Sequence, residues 1–88
     1  MLRITKVLLQ EGFRLSLQFS DGTCGVADLS SIDRVGVLEC WNDVSVFNAV
    51  RLDPESGTVC WPGDVDLDPY VLYSRVTGRP IEEVIALV

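Results

Sequence analysis

Seven consecutive residues, Phe13-Arg14-Leu15-Ser16-Leu17-Gln18-Phe19, alternate apolar and polar without a break. A period of two marks a strand with one face on a core and the other in water, so the chain is committed to a sheet covered on one side. Phe13, Leu15, Leu17 and Phe19 take the inner face, and Arg14, Ser16 and Gln18 the outer. The aliphatic and β-branched stretch from Ile4 to Leu9 precedes it across Gln10-Glu11-Gly12 and reads as a neighbouring strand. Asp21-Gly22 follows and predicts a two-residue type I′ hairpin turn, with positive φ at both positions. Thr23 to Ala27 then returns antiparallel, with Cys24 and Val26 on one face. Asn48 to Leu52 and Thr58 to Trp61, joined by Asp53-Pro54-Glu55-Ser56-Gly57, form a second hairpin with proline and glycine at turn positions.

Helical signals are short and fall mainly at the C-terminal end. Asp28 is placed to cap a turn over Leu29 to Arg34, and Asp43 a turn within Cys40 to Phe47 that points Trp41 and Phe47 inward. Val35-Gly36-Val37-Leu38 interrupts any longer helix between them. Asp68-Pro69 predicts a helix start, because the aspartate accepts orphan N–H groups and a proline at the first helical position has none to leave unpaired. Gly78 predicts its stop. After Arg79-Pro80, Ile81, Val84, Ile85 and Val88 keep helical spacing, which predicts a docking helix over residues 80–88. So short a helix needs a surface to dock on, either its own sheet or a second subunit. The expected fold is α+β: a small antiparallel sheet of about four to five strands, from two hairpins, with short helices.

Eighty-eight residues make one domain with no internal boundary, and a chain of that size buries only roughly 60–65% of the surface its unfolded form exposes. Seven Lys and Arg against thirteen Asp and Glu give a net charge of −6, which repels a phosphate backbone and argues against direct nucleic-acid binding. The first ten residues lack the continuous apolar core of a signal peptide, and the longest apolar run, Val84 to Val88, is far short of a membrane span of roughly 20 residues. Cys24, Cys40 and Cys60 are an odd count without a paired motif, as expected of reduced thiols in a cytoplasmic protein.

The order of these signals resembles a family. Phe19-Ser20-Asp21-Gly22, then Val26-Ala27-Asp28-Leu29, Asp43 to Phe47, Val50-Arg51-Leu52, and Trp61-Pro62-Gly63-Asp64-Val65-Asp66-Leu67-Asp68-Pro69 with Leu72-Tyr73, resembles the bacterial domain-of-unknown-function 2442 family over about residues 4 to 73. The resemblance implies a compact α+β domain. It also implies an interaction module, since genes of similar proteins often lie beside another small protein in an arrangement like a toxin–antitoxin pair. Some longer relatives add a helix-turn-helix region that the present 88 residues do not contain.

Chemistry is hard to assemble from these residues. The chain has no histidine, the commonest general base, and no lysine or arginine within two positions of any cysteine to activate it. Asp64-Val65-Asp66-Leu67-Asp68 starts like an EF-hand loop, but Pro69 stands where that loop needs glycine and Arg75 where it needs a bidentate glutamate. The expectation is therefore no enzyme, no metal and no cofactor. The preferred reading is a noncatalytic interaction domain that self-associates, a dimer being favoured, and that pairs with a small basic protein. Tyr70, Tyr73, Val84, Ile85 and Val88 are its candidate contacts, with Trp61 as a candidate hot spot more readily explained as core. The alternative is a small-ligand or enzymatic site around Trp61 and Asp64 to Asp68.

Overall fold

The computed structural model describes residues 1–86. Three strands form an antiparallel meander, β1 (Ile4–Gln10), β2 (Arg14–Phe19) and β3 (Cys24–Asp28), in the order β1-β2-β3. The alternation of β2 holds: Leu15, Leu17 and Phe19 are buried. Phe13 departs from it. It lies outside the strand at φ 58°, a left-handed conformation uncommon for an aromatic residue. The conformation is clamped on three sides: the ring meets Phe47 edge-on at 4.8 Å and the Arg34 guanidinium at 4.6 Å, while the carbonyl accepts from Leu29 N–H at 2.8 Å.

The turn between β2 and β3 is not the expected type I′. Only Gly22 has positive φ, at 91°. Phe19 accepts from Gly22 N–H at 3.0 Å, and Thr23 accepts from Phe19 N–H at 2.8 Å, so Ser20 and Asp21 are the central residues and the glycine supplies the bulge. The reason lies in Asp21: its carboxylate accepts from Thr23 N–H at 2.9 Å and so builds its own turn.

Residues 29–50 hold no strand. The turn expected over Leu29 to Arg34 does not become a helix. Asp28 accepts from Ser30 N–H and hydroxyl at 2.9 and 2.6 Å as a cap should, but Leu29 is already pinned to the meander through Phe13. A 3₁₀ helix covers Gly36–Asn42, including the stretch read as an interruption. The short helix α1 (Val44–Phe47) follows, with Asp43 accepting from Ser45 N–H as its cap.

The second half is a separate antiparallel sheet, β4 (Arg51–Asp53), β5 (Thr58–Trp61) and β6 (Val65–Asp66), in the order β4-β5-β6. The single sheet of four to five strands is thus corrected to two sheets of three. β4 lies alongside β1, but a bulge between Ile4 and Lys6 turns the edge of β1 away and no ladder forms. Two hydrogen bonds tie the start of β1 to the β4–β5 connection: Ile4 N–H donates to Gly57 C=O at 2.7 Å, and the Arg3 guanidinium donates to Pro54 C=O. Gly57 is required twice here, for φ of 73° and because a Cβ would sit 2.8 Å from the Arg3 guanidinium carbon.

Two helices complete the chain, α2 (Pro69–Thr77) and α3 (Ile81–Ile85). α2 starts and stops as predicted, with Asp68 accepting from Tyr70 N–H at 2.8 Å and Gly78 left-handed at φ 76°. The core joins the inner face of the first sheet to the aromatic trio Trp41, Phe47 and Trp61, with centroids 4.7 to 5.7 Å apart.

Candidate functional site

The residues singled out from the sequence do not form one surface. Trp61 ends β5 with only 1% of its surface exposed, and its indole N–H donates to Phe47 C=O at 3.0 Å. It therefore offers a ligand or partner neither a face nor a donor, and its candidacy as a hot spot gives way to its place in the aromatic core. Tyr73 is also buried. Its ring meets Phe19 edge-on at 5.0 Å, and its hydroxyl donates to Asp21 Oδ2 at 2.8 Å and lies 3.1 Å from Thr23 Oγ1. Its polar end closes the β2–β3 turn from inside. Val84 is buried at 1% exposure, because α3 packs against α2 and so short a helix must spend its inward side chain on the protein's own core. Tyr70 is half-buried against the core, and Ile85 is 56% exposed. Val88 lies outside the described residues.

The acidic loop divides in the same way. Asp64, Asp66 and Asp68 are exposed, while Val65 is buried and Leu67 partly so. Asp64 takes φ of 61° in the β5–β6 turn and Asp68 caps α2, so the aspartates shape the backbone. Among the described residues, no group of three or more Cys, Asp or Glu is placed to hold a metal ion.

What remains open is the outer face of the first sheet. Register fixes its membership: Lys6, Gln18 and Cys24 form one row across the strands, Leu8, Ser16 and Val26 the next, and Gln10, Arg14 and Asp28 the third. Leu8 is 67% exposed and Val26 43%. Of the chain's thirteen acidic residues only Asp28 lies in this array, against Lys6 and Arg14. The face is thus apolar at its centre and slightly cationic on a protein of net charge −6. Reading the sequence had placed Cys24 and Val26 on one face but missed Leu8, since Val7-Leu8-Leu9 carries no alternation to say which side chain turns outward.

Four aspartates have carboxyls held below the ordinary range. For Asp21 the main cause is Thr23 N–H, followed by partial burial acting the other way and then the Tyr73 hydroxyl. For Asp28 and Asp43 the hydroxyl of the serine two residues on leads, and for Asp53 the Glu55 N–H. Each is a turn aspartate whose ionised form is the better acceptor. None is poised for acid–base work near neutral pH.

The fold and this surface define a small α+β domain with a filled core and an uncovered sheet face. The chain belongs to the family described as proteins of unknown function, DUF2442, whose model matches residues 4–78. No curated protein and no solved structure matches it.

Proposed function

We propose that this chain is a noncatalytic, cytoplasmic interaction domain that self-associates as a dimer and pairs with a small basic protein in an antitoxin-like role. The observation that carries the reading is the apolar surface left in water outside a complete core: Leu8 and Val26 on the outer sheet face and Ile85 on α3. A small domain that exposes such residues gains stability by covering them with a partner. The basic partner is supported by the charge of −6 and the exposed Asp64, Asp66 and Asp68, and the antitoxin-like role by the family resemblance. Among the described residues no helix is long and apolar enough to cross a membrane.

Ile85→Glu tests the self-association. The side chain is exposed, so the substitution leaves the core intact and places a charge in the contact. Light scattering is expected to show a dimer for the parent and a monomer for the variant; unchanged mass would overturn this assignment.

A further inference from the structure

The backbone of β3 has no strand beside it on one side. Phe19 N–H bonds Thr23 C=O and Leu29 N–H bonds Phe13 C=O, so the odd-numbered residues of β2 turn their backbone groups toward β3. Their partners in register, Gly25 opposite Leu17 and Ala27 opposite Leu15, complete that ladder. Cys24, Val26 and Asp28 consequently point their N–H and C=O groups away from the sheet. Among the described residues the one protein bond these outward groups make is from the Arg75 guanidinium to Asp28 C=O, at 3.2 Å. The opposite edge forms no ladder either, but β4 lies alongside β1 and Leu52 shares a depression with Val7 and Leu8, so it is partly covered. Of the two edges of this sheet, β3 is the more accessible.

This open edge does not face bare solvent. It forms one wall of a groove whose other wall is the side of α2 and the start of α3, lined by Val26 and Asp28 on the strand and by Val71, Arg75, Arg79 and Ile81 opposite. Val71 is exposed and Ile81 partly so. Arg75 uses one nitrogen on Asp28 C=O and on Ser31 Oγ at 3.1 Å, which leaves its remaining donors free. Among the described residues the Arg79 side chain makes only a 3.8 Å ion pair with Glu83, between side chains about half exposed, which a better-placed carboxylate replaces at little cost.

We propose that this groove binds an extended acidic peptide segment of another protein by strand addition to β3. Backbone bonds to Val26 and to the N–H groups of Cys24 and Asp28 hold the segment, apolar side chains at alternate positions cover Val71 and Ile81, and a carboxylate meets Arg75 and Arg79. β3 has five residues, so the bound segment is about five residues long, or roughly 16 Å. The proposal goes beyond the basic-partner reading: its occupant is an acidic segment, and it is held at the β3 edge and not by the exposed Asp64, Asp66 and Asp68. The acidic occupant follows from charge: the groove sets Arg75 and Arg79 against the one carboxylate of Asp28, on a protein of net charge −6.

The test is selection from a display library of random ten-residue peptides against the full chain, followed by NMR titration with the most enriched peptide in synthetic form. Enrichment of Asp or Glu between alternating apolar residues, with amide shifts centred on Cys24, Val26 and Asp28, is the expected result. Arg79→Glu, at an exposed site, should weaken binding about tenfold or more. Val26→Pro removes the outward N–H without touching the β2 ladder and should abolish binding. Enrichment of nothing or of basic peptides, or shifts centred elsewhere, overturns the proposal. So do concentration-dependent shifts of Cys24 and Val26 without peptide, which would mean that a second copy occupies the groove. Light scattering on the same samples separates the outcomes, since a dimer that binds no such peptide refutes the groove and leaves self-association standing.

Discussion

Gly25 lies directly against Val76 of α2, and replacing it with alanine tests how rigidly the helix is held. A Cβ built there would lie 2.5 Å from Val76 Cγ1, where carbon atoms normally sit about 3.5 to 4 Å apart. The backbone of Gly25 does not have positive φ, so alanine is conformationally acceptable and alone would stabilise by about 0.4–1 kcal/mol through the unfolded chain. The clash opposes this. Valine in a helix has one dominant rotamer and cannot swing aside, and α2 is anchored by Tyr73 on Asp21 and by Arg75 on Asp28. Overpacking of this kind costs about 1–3 kcal/mol, so Gly25→Ala is expected to destabilise by about 1–2 kcal/mol. With a urea dependence of about 1 kcal/mol/M, the midpoint of equilibrium unfolding should fall by about 1–2 M. Adding Val76→Ala should recover most of that loss, a coupling of about 1 kcal/mol or more in the double-mutant cycle. An unchanged midpoint for Gly25→Ala, or strictly additive effects of the two changes, would refute the argument.

The two tryptophans make a paired comparison. Both are buried, but Trp61 donates to Phe47 C=O while the Trp41 indole N–H finds no partner among the described residues. Trp61→Phe should therefore cost about 1 kcal/mol more than Trp41→Phe in thermal or chemical unfolding, and equal losses would show that the bond contributes nothing. Tyr73→Phe removes the hydroxyl that helps hold the Asp21 carboxyl below its ordinary value. A carboxyl depressed in the folded state contributes stability above its unfolded pKa, about 4, and loses it as pH falls through the folded value. The difference in stability between Tyr73→Phe and the parent should accordingly be larger at pH 7 than at pH 2, and a gap that widens on acidification would sink this assignment.

The sequence was most legible where one local rule acts alone. The alternation in β2 and the Asp68-Pro69 start and Gly78 stop of α2 depend on neighbours in sequence, and apart from Phe13 at the head of the strand they appear as read. Legibility failed where a distant contact decided the outcome. Asp21-Gly22 carries the composition of a type I′ turn, yet the Asp21 carboxylate is engaged by Thr23 and by Tyr73 from 52 residues away. Asp28 caps nothing longer than a turn because Leu29 is tied to Phe13. β6 has only two residues and no periodicity, so it read as part of a loop. The same logic applies to the surface. Val84 and Ile85 look equivalent on a helical wheel, and only the docking of α3 buries one and exposes the other. The groove beside β3 was invisible, since it depends on which backbone groups a register leaves over.

The stitch between the two sheets also bears on how the chain folds. Within each sheet, strands pair with their immediate neighbours in sequence, which makes both sheets low-cost, early-forming units. The links from Arg3 to Pro54 and from Ile4 to Gly57 span more than half the chain, and closing so long a loop carries an entropic cost that local hairpins avoid. These links add to the shared core and to the α2 bonds on Asp21 and Asp28 in coupling the two sheets. Weakening that seam is expected to lower the stability of the whole domain while the shared core keeps its unfolding a single transition.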